Sequence, residues 1–157
     1  MIRENLKETL RSMREYFNRS TRPLSEEHSG FAPKEGLYTV AGHVAHVAQT
    51  VEWFFDAAFA KDWNMDFEGM DKEVRAVTSL AQARAWFERA VEKALREAEA
   101  HGEDEWASLF PPNPIMGEAP RFSILGAVTD HTAHHRGSLA VYQRLLGLKP
   151  PMPYMDE

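Results

Sequence analysis

Residues 123–147 read SILGAVTDHTAHHRGSLAVYQRLLG. Leu125, Val128, His131, Thr132, His135, Leu139, Tyr142 and Leu146 recur mostly at steps of three and four, the signature of one face of an α-helix. Pro120 stands just before the stretch and Gly147 closes it, as a helix start and stop require. Two histidines lie inside an otherwise apolar stripe. This helix therefore predicts both a packed helical core and something polar buried within it.

Three more helical segments are legible on either side. Ile2, Leu6, Leu10, Met13 and Phe17 mark the inner face of a first helix over about Ile2–Arg19. Residues 20–37 hold Pro23, Pro33, Gly30 and Gly36 and read as a loop. A second helix starts with Thr39 as N-cap and runs to about Ala60. Val40, Val44, Val47, Val51, Phe54, Phe55 and Ala58 cover much of its circumference, so it is expected to be the most buried of the four. Residues 61–78 read as a partly packed crossover loop. A third helix opens at Ser79, with Gln82 placed to complete a capping box, and runs to about Ala100 with Gly102 as its stop. Its inner stripe is Ala83, Phe87, Ala90, Ala94 and Ala98, and so many alanines predict a close helix–helix approach. Pro111, Pro112, Pro114 and Pro120 keep any helix from crossing 103–120. Within that loop Trp106 and Phe110 are candidates to pack down as a lid.

Four helices with no clear strand predict an all-α four-helix bundle, with long loops after helices 1, 2 and 3. The 157 residues suit one domain over 1–157. The net charge of −6 argues against nucleic acid or an anionic membrane as partner, since both need a basic surface. With no cysteine, thiolate metal sites and a cysteine nucleophile are excluded. The N-terminal segment has no apolar run of the signal-peptide kind, and no stretch approaches the ~20 apolar residues of a membrane span. A cytoplasmic location is expected.

Five of the seven histidines fall in two helical clusters. His131 and His135, four apart, share one helix face, the geometry by which two imidazoles hold one metal. His43 and His46 lie three apart on the second helix, and either can supply a third ligand from a facing helix. A helical histidine pair often only caps carbonyls or meets solvent. Histidine repeated on an apolar stripe is different, because a buried imidazole needs partners for its nitrogens. Three neutral imidazoles would leave a divalent ion its full charge and an open position.

The stretches YTVAGHVAHVAQTVEWFF and DHTAHHRGSLAVYQRLLGLKPP carry a further signal. Together with the helix order and the proline-rich end, they resemble the DinB/YfiT-like family of metal-binding four-helix bundles over nearly the whole chain. The resemblance implies one ligand histidine seven residues after a Thr or Ser at the start of the second helix. Counted from Thr39, that is His46. It implies His131 and His135 as the other two ligands, and leaves His134 and Arg136 outside the ligand set. The chain departs from the family at Ser138, where Gln is frequent. It departs again around Gly42 and His43, where an acidic residue is frequent, and His43 is placed there to hydrogen-bond the site or to compete for it. A homodimer is implied, as is a small-molecule reaction such as thiol-dependent transfer with a low-molecular-weight thiol as cosubstrate. Relatives of the fold use iron in oxidative thiol chemistry.

Other residues have a functional and a plain reading. Asp130 can orient a ligand imidazole or be an ordinary helix residue. Glu52 can reach the cavity rim or sit solvated beside Trp53. Trp53, Phe54, Trp63, Trp106 and Tyr142 can line a pocket or form core. Arg136 can bind an anionic group or make a surface ion pair. Ser108, Ser123 and Ser138 lie in no nucleophile motif.

Three functional classes follow. In the first, the chain is a metal-dependent S-transferase or hydrolase with one divalent ion, such as Zn, Ni or Fe, on three histidines. Its catalytic acid or base is not assignable from the residues. In the second, it is a non-catalytic, metal-stabilised binding or stress-response module. In the third, it is a plain helical dimer with incidental histidines. Imidazole donors suit several transition metals, so residue type does not select one.

Overall fold

The computed structural model describes residues 1–155. Four long helices carry the fold: α1 (Ile2–Thr21), α2 (Val40–Phe59), α4 (Leu80–Ala100) and α6 (Ile124–Leu145). Two short ones, α3 (Phe67–Arg75) and α5 (Glu103–Ala107), lie in the connections, with 3-10 turns at Glu26–His28 and Arg121–Ser123. The described residues contain no strand, only an isolated bridge between Leu109 and Pro120. None of their helices is long and apolar enough to cross a membrane. The all-helical bundle is as expected from the sequence.

Each long helix buries most of the stripe its periodicity marks, with Ile2 of α1 and Leu125 and His131 of α6 half-buried. In α1, Leu6, Leu10, Met13 and Phe17 are buried. In α4 the buried set includes Ala83, Phe87, Ala90, Ala94 and Ala98. Fifteen of the twenty residues of α2 are buried, so this helix is the centre of the molecule, as its apolar circumference requires. Both α1 and α2 pack against α4 and α6, which places α1 and α2 at opposite corners of the bundle. The chain must therefore cross the end of the bundle between α1 and α2, and the long loop after α1 spans that distance. The core is one connected apolar cluster, with Phe17 and Phe87 at 4.7 Å between ring centroids. Burying a side chain of this kind contributes about 1.5–3 kcal/mol.

The helix ends show where local sequence is obeyed. Thr39 Oγ1 accepts the backbone N–H of Gly42 at 3.0 Å and so caps α2. Ser79 Oγ accepts from Gln82 N, the serine half of the expected box. The adjoining N–H groups of Leu80 and Ala81 are taken instead by Ser29 Oγ at 2.9 Å and Glu26 Oε2 at 2.8 Å, so the 3-10 turn caps α4 from outside. At the end of α6, Gly147 has φ +77, and Leu148 N donates to Gln143 O at 2.8 Å. This left-handed glycine with a six-to-one bond is a Schellman stop.

Helix α4 ends at Ala100 as expected, but two expectations need correction. Residues 103–120 are not a loop throughout: Gly102, with φ −75, is the N-cap of α5. Glu105 accepts the Gly102 N–H at 2.7 Å, so a new helix begins there. Residues 61–78 are not a loop throughout, because α3 forms within them. Asp66 caps α3 by accepting from Gly69 N at 2.9 Å, and Glu68–Lys72 and Asp71–Arg75 form ion pairs one turn apart. Only Val74 of α3 is buried, so no apolar stripe announced it. Trp106 and Phe110 do pack down, at the C-terminal end of α2. Trp106 meets Phe55, Phe59 and His101, and Phe110 meets Trp63, so neither covers His46, His131 or His135.

Candidate metal centre

The site lies where α2 packs against α6. Helical spacing already puts His131 and His135 on one face of α6, and their ring centroids are 4.4 Å apart. The packing then brings His46 opposite them, with its centroid 4.8 Å from each. One ring nitrogen from each of His46, His131 and His135 lies within 4.8 Å of the others. The Nε2 atoms of His46 and His131 are 3.1 Å apart. Two nitrogens bound at 2.0–2.1 Å to one tetrahedral zinc would be separated by about 3.3 Å. The Nδ1 atoms of His46 and His131 are buried without a partner, so the polar capacity of both rings is concentrated in the converging Nε2 atoms. This donor set fits a divalent transition metal.

Electrostatics favour lone pairs here. Burial, reinforced by the neighbouring imidazoles of His46 and His134, pushes His131 down to about 4. Burial lowers His135 to about 2, with His131, His46, His43 and His134 acting in the same direction. Burial also lowers His46, opposed by the charge of Asp71. These three imidazoles are neutral at neutral pH and can donate to a cation.

The other expected residues are placed as follows. His43 is buried beside the trio, outside the group of converging ligand atoms, with its Nδ1 2.9 Å from Nδ1 of His135. His134 is exposed, as is Asp130, which among the described residues makes no hydrogen bond to a histidine. Glu52 is not merely solvated: it accepts the indole N–H of Trp86 at 2.9 Å. Arg136 makes no ion pair among the described residues; it donates to Tyr154 Oη at 3.0 Å. Tyr142 packs edge-on against His43 at 4.9 Å and donates its hydroxyl to Tyr38 O. Trp53 and Trp63 contact each other at 5.0 Å near the C-terminal half of α2, away from the histidines.

Sequence reasoning missed three neighbours. Thr50 Oγ1 is 3.5 Å from His131 Nε2, and its position one turn after His46 was the available signal. The ring of Tyr38 lies 5.1 Å from that of His46 and its hydroxyl donates to Asp71 Oδ1 at 2.6 Å. Burial and this bond raise the Tyr38 phenol to about 12. Asp71 also accepts from Arg75 Nε at 2.7 Å, and the Arg75 guanidinium covers the Tyr38 ring at 4.6 Å. Nothing in a segment that reads as loop pointed to Asp71.

A helical bundle with a trio of converging, half-buried to buried imidazoles between two helices offers a group that could hold a metal ion. The family model described as DinB family matches residues 1–157, and the chain belongs to that family. No curated protein matches it.

Proposed function

We propose that the chain binds one divalent transition metal through His46, His131 and His135, and uses it in a thiol-dependent transfer or a hydrolysis on a small molecule. The observation that carries this is the convergence of three neutral imidazoles from helices far apart in sequence. A metal held by three neutral ligands lowers the pKa of a bound water or thiol and polarises a carbonyl. The protein's own groups do the rest. The two helices fix the imidazoles before any ligand arrives. Tyr38 keeps its hydroxyl proton at neutral pH and ties Asp71 and Arg75 to the rim beside His46. A low-molecular-weight thiol cosubstrate, a homodimeric state and a cytoplasmic location belong to the same reading.

A second reading also has an observation behind it. The His46–His131 and His43–His135 contacts both bridge α2 and α6. A metal there would clamp two helices in a non-catalytic binding or stress-response module. In that case chelation unfolds the protein, whereas a reactive site leaves a folded metal-free bundle.

Elemental analysis of tag-free protein tests the proposal. About one metal per chain is expected in the wild type. It is expected to be lost in His46→Ala, His131→Ala and His135→Ala. A wild type that takes up no metal after reloading with Zn, Ni, Fe or Mn overturns it.

A further inference from the structure

The second nitrogen of a metal-bound imidazole is commonly held by a partner. That partner fixes the tautomer and ring angle, and is usually a carboxylate, a backbone carbonyl or water. In this chain the group facing the second nitrogen of His135 is another imidazole. His43 Nδ1 lies 2.9 Å from His135 Nδ1, and both residues are buried, at 7% and 8% exposure. The ring centroids are 5.1 Å apart, so the short contact lies close to the line joining the rings and each Nδ1 points at the other. With Nδ1 engaged, His135 has only Nε2, across the ring, to offer to a metal.

One proton can occupy the Nδ1–Nδ1 contact. If His43 donates it, the neutral His135 carries its own proton on Nε2, and that nitrogen cannot coordinate. If His135 donates it, His135 Nε2 carries a lone pair and His43 carries its proton on Nε2. Only the second arrangement is compatible with a ligand role for His135. The His43 ring is also held from two sides, by Tyr142 at 4.9 Å and 87° and by Tyr38 at 5.7 Å and 76°. It therefore cannot swing without disturbing both aromatic contacts.

We propose that His43 is a positioning residue that accepts the Nδ1 proton of His135, thereby presenting His135 Nε2 to the metal, and that it is not a fourth ligand. This rests on the reading of His46, His131 and His135 as the metal ligands. Because His43 is a neutral acceptor where a carboxylate is common, it orients His135 without adding negative charge. A cation held there would receive no charge compensation from this residue.

The test combines zinc affinity, coordination number and tautomer. Competition of Zn2+ against a chromophoric chelator is expected to show His43→Ala binding 10–100-fold more weakly with unchanged stoichiometry. His43→Asn, whose side-chain oxygen can take the place of Nδ1, is expected to recover most of the loss, while His43→Gln is not. X-ray absorption on the zinc-loaded wild type and on His43→Ala is expected to give the same number of imidazole ligands. Nitrogen NMR of metal-free wild type is expected to find the proton of His135 on Nδ1. A drop of one imidazole in His43→Ala, or a His135 proton on Nε2, overturns the proposal. So does unchanged affinity in a folded His43→Ala. A wild type that binds no zinc overturns the underlying metal reading instead, and the His135 tautomer still decides whether His43 holds that ring.

Discussion

The Nε2 atoms of His46 and His131 stand 3.1 Å apart although 85 positions separate the residues in the chain. Two uncharged nitrogens at that distance can share one hydrogen bond or one cation. Zinc is therefore expected to stabilise the folded state by mass action, by about 2.7 kcal/mol at a free concentration a hundredfold above its dissociation constant. Thermal melts across a zinc titration should show a rising Tm for the wild type and a flat one for His131→Ala. An equal rise in both would place the zinc elsewhere.

Removing the metal should not unfold the bundle. The apolar core formed by Leu6, Leu10, Phe17, Val44, Val47, Phe87 and Leu139 is buried independently of the histidines. Circular dichroism after chelation should retain the helical signal, and loss of most of it would favour the clamp.

Phe87→Ala should cost about 3–5 kcal/mol, because it empties a fully buried position beside Phe17. Urea denaturation measures this. The Phe17→Ala, Phe87→Ala double variant should lose less than the sum of the two singles, since the rings share one contact.

Thr39→Ala should cost about 1 kcal/mol through loss of the cap on α2, with Thr39→Ser close to wild type. Chemical denaturation of the three proteins checks it, and an Ala variant as stable as wild type would mean that the cap contributes nothing.

Glu103 should give an acid-sensitive contribution. The Met1 ammonium and the backbone N–H groups of Ile2 and Arg3 hold its carboxyl down to about 2, from an ordinary value of 4.5. A lowered folded-state value means stabilisation that is complete above pH 4.5 and disappears as pH falls toward 2. Glu103→Gln should therefore melt below wild type at pH 7, and the difference should close at low pH. A difference that persists unchanged to pH 2 would assign the effect to packing.

The four long helices were legible because each buries a stripe at helical period, and periodicity survives in a single sequence. Helix α3 was not, because it is tied down by the Asp66 cap and surface ion pairs and buries only Val74. The residues left Glu52 between a cavity-rim and a solvated role because its partner, Trp86, belongs to another helix.

The division is sharpest at the histidines. The sequence by itself determined that His131 and His135 share a face, since a four-residue step along a helix leaves no alternative. Helical spacing could not choose between His43 and His46, because α2 is buried around most of its surface, and the preference for His46 came from the family resemblance. The packing of α2 on α6 brings His46, and not His43, into the converging group. The rotation and height of one helix against the other bring His46 Nε2 to His131 and set His43 Nδ1 behind His135. Those two quantities arise from side chains interdigitating across the whole interface, and no local pattern in the chain encodes them.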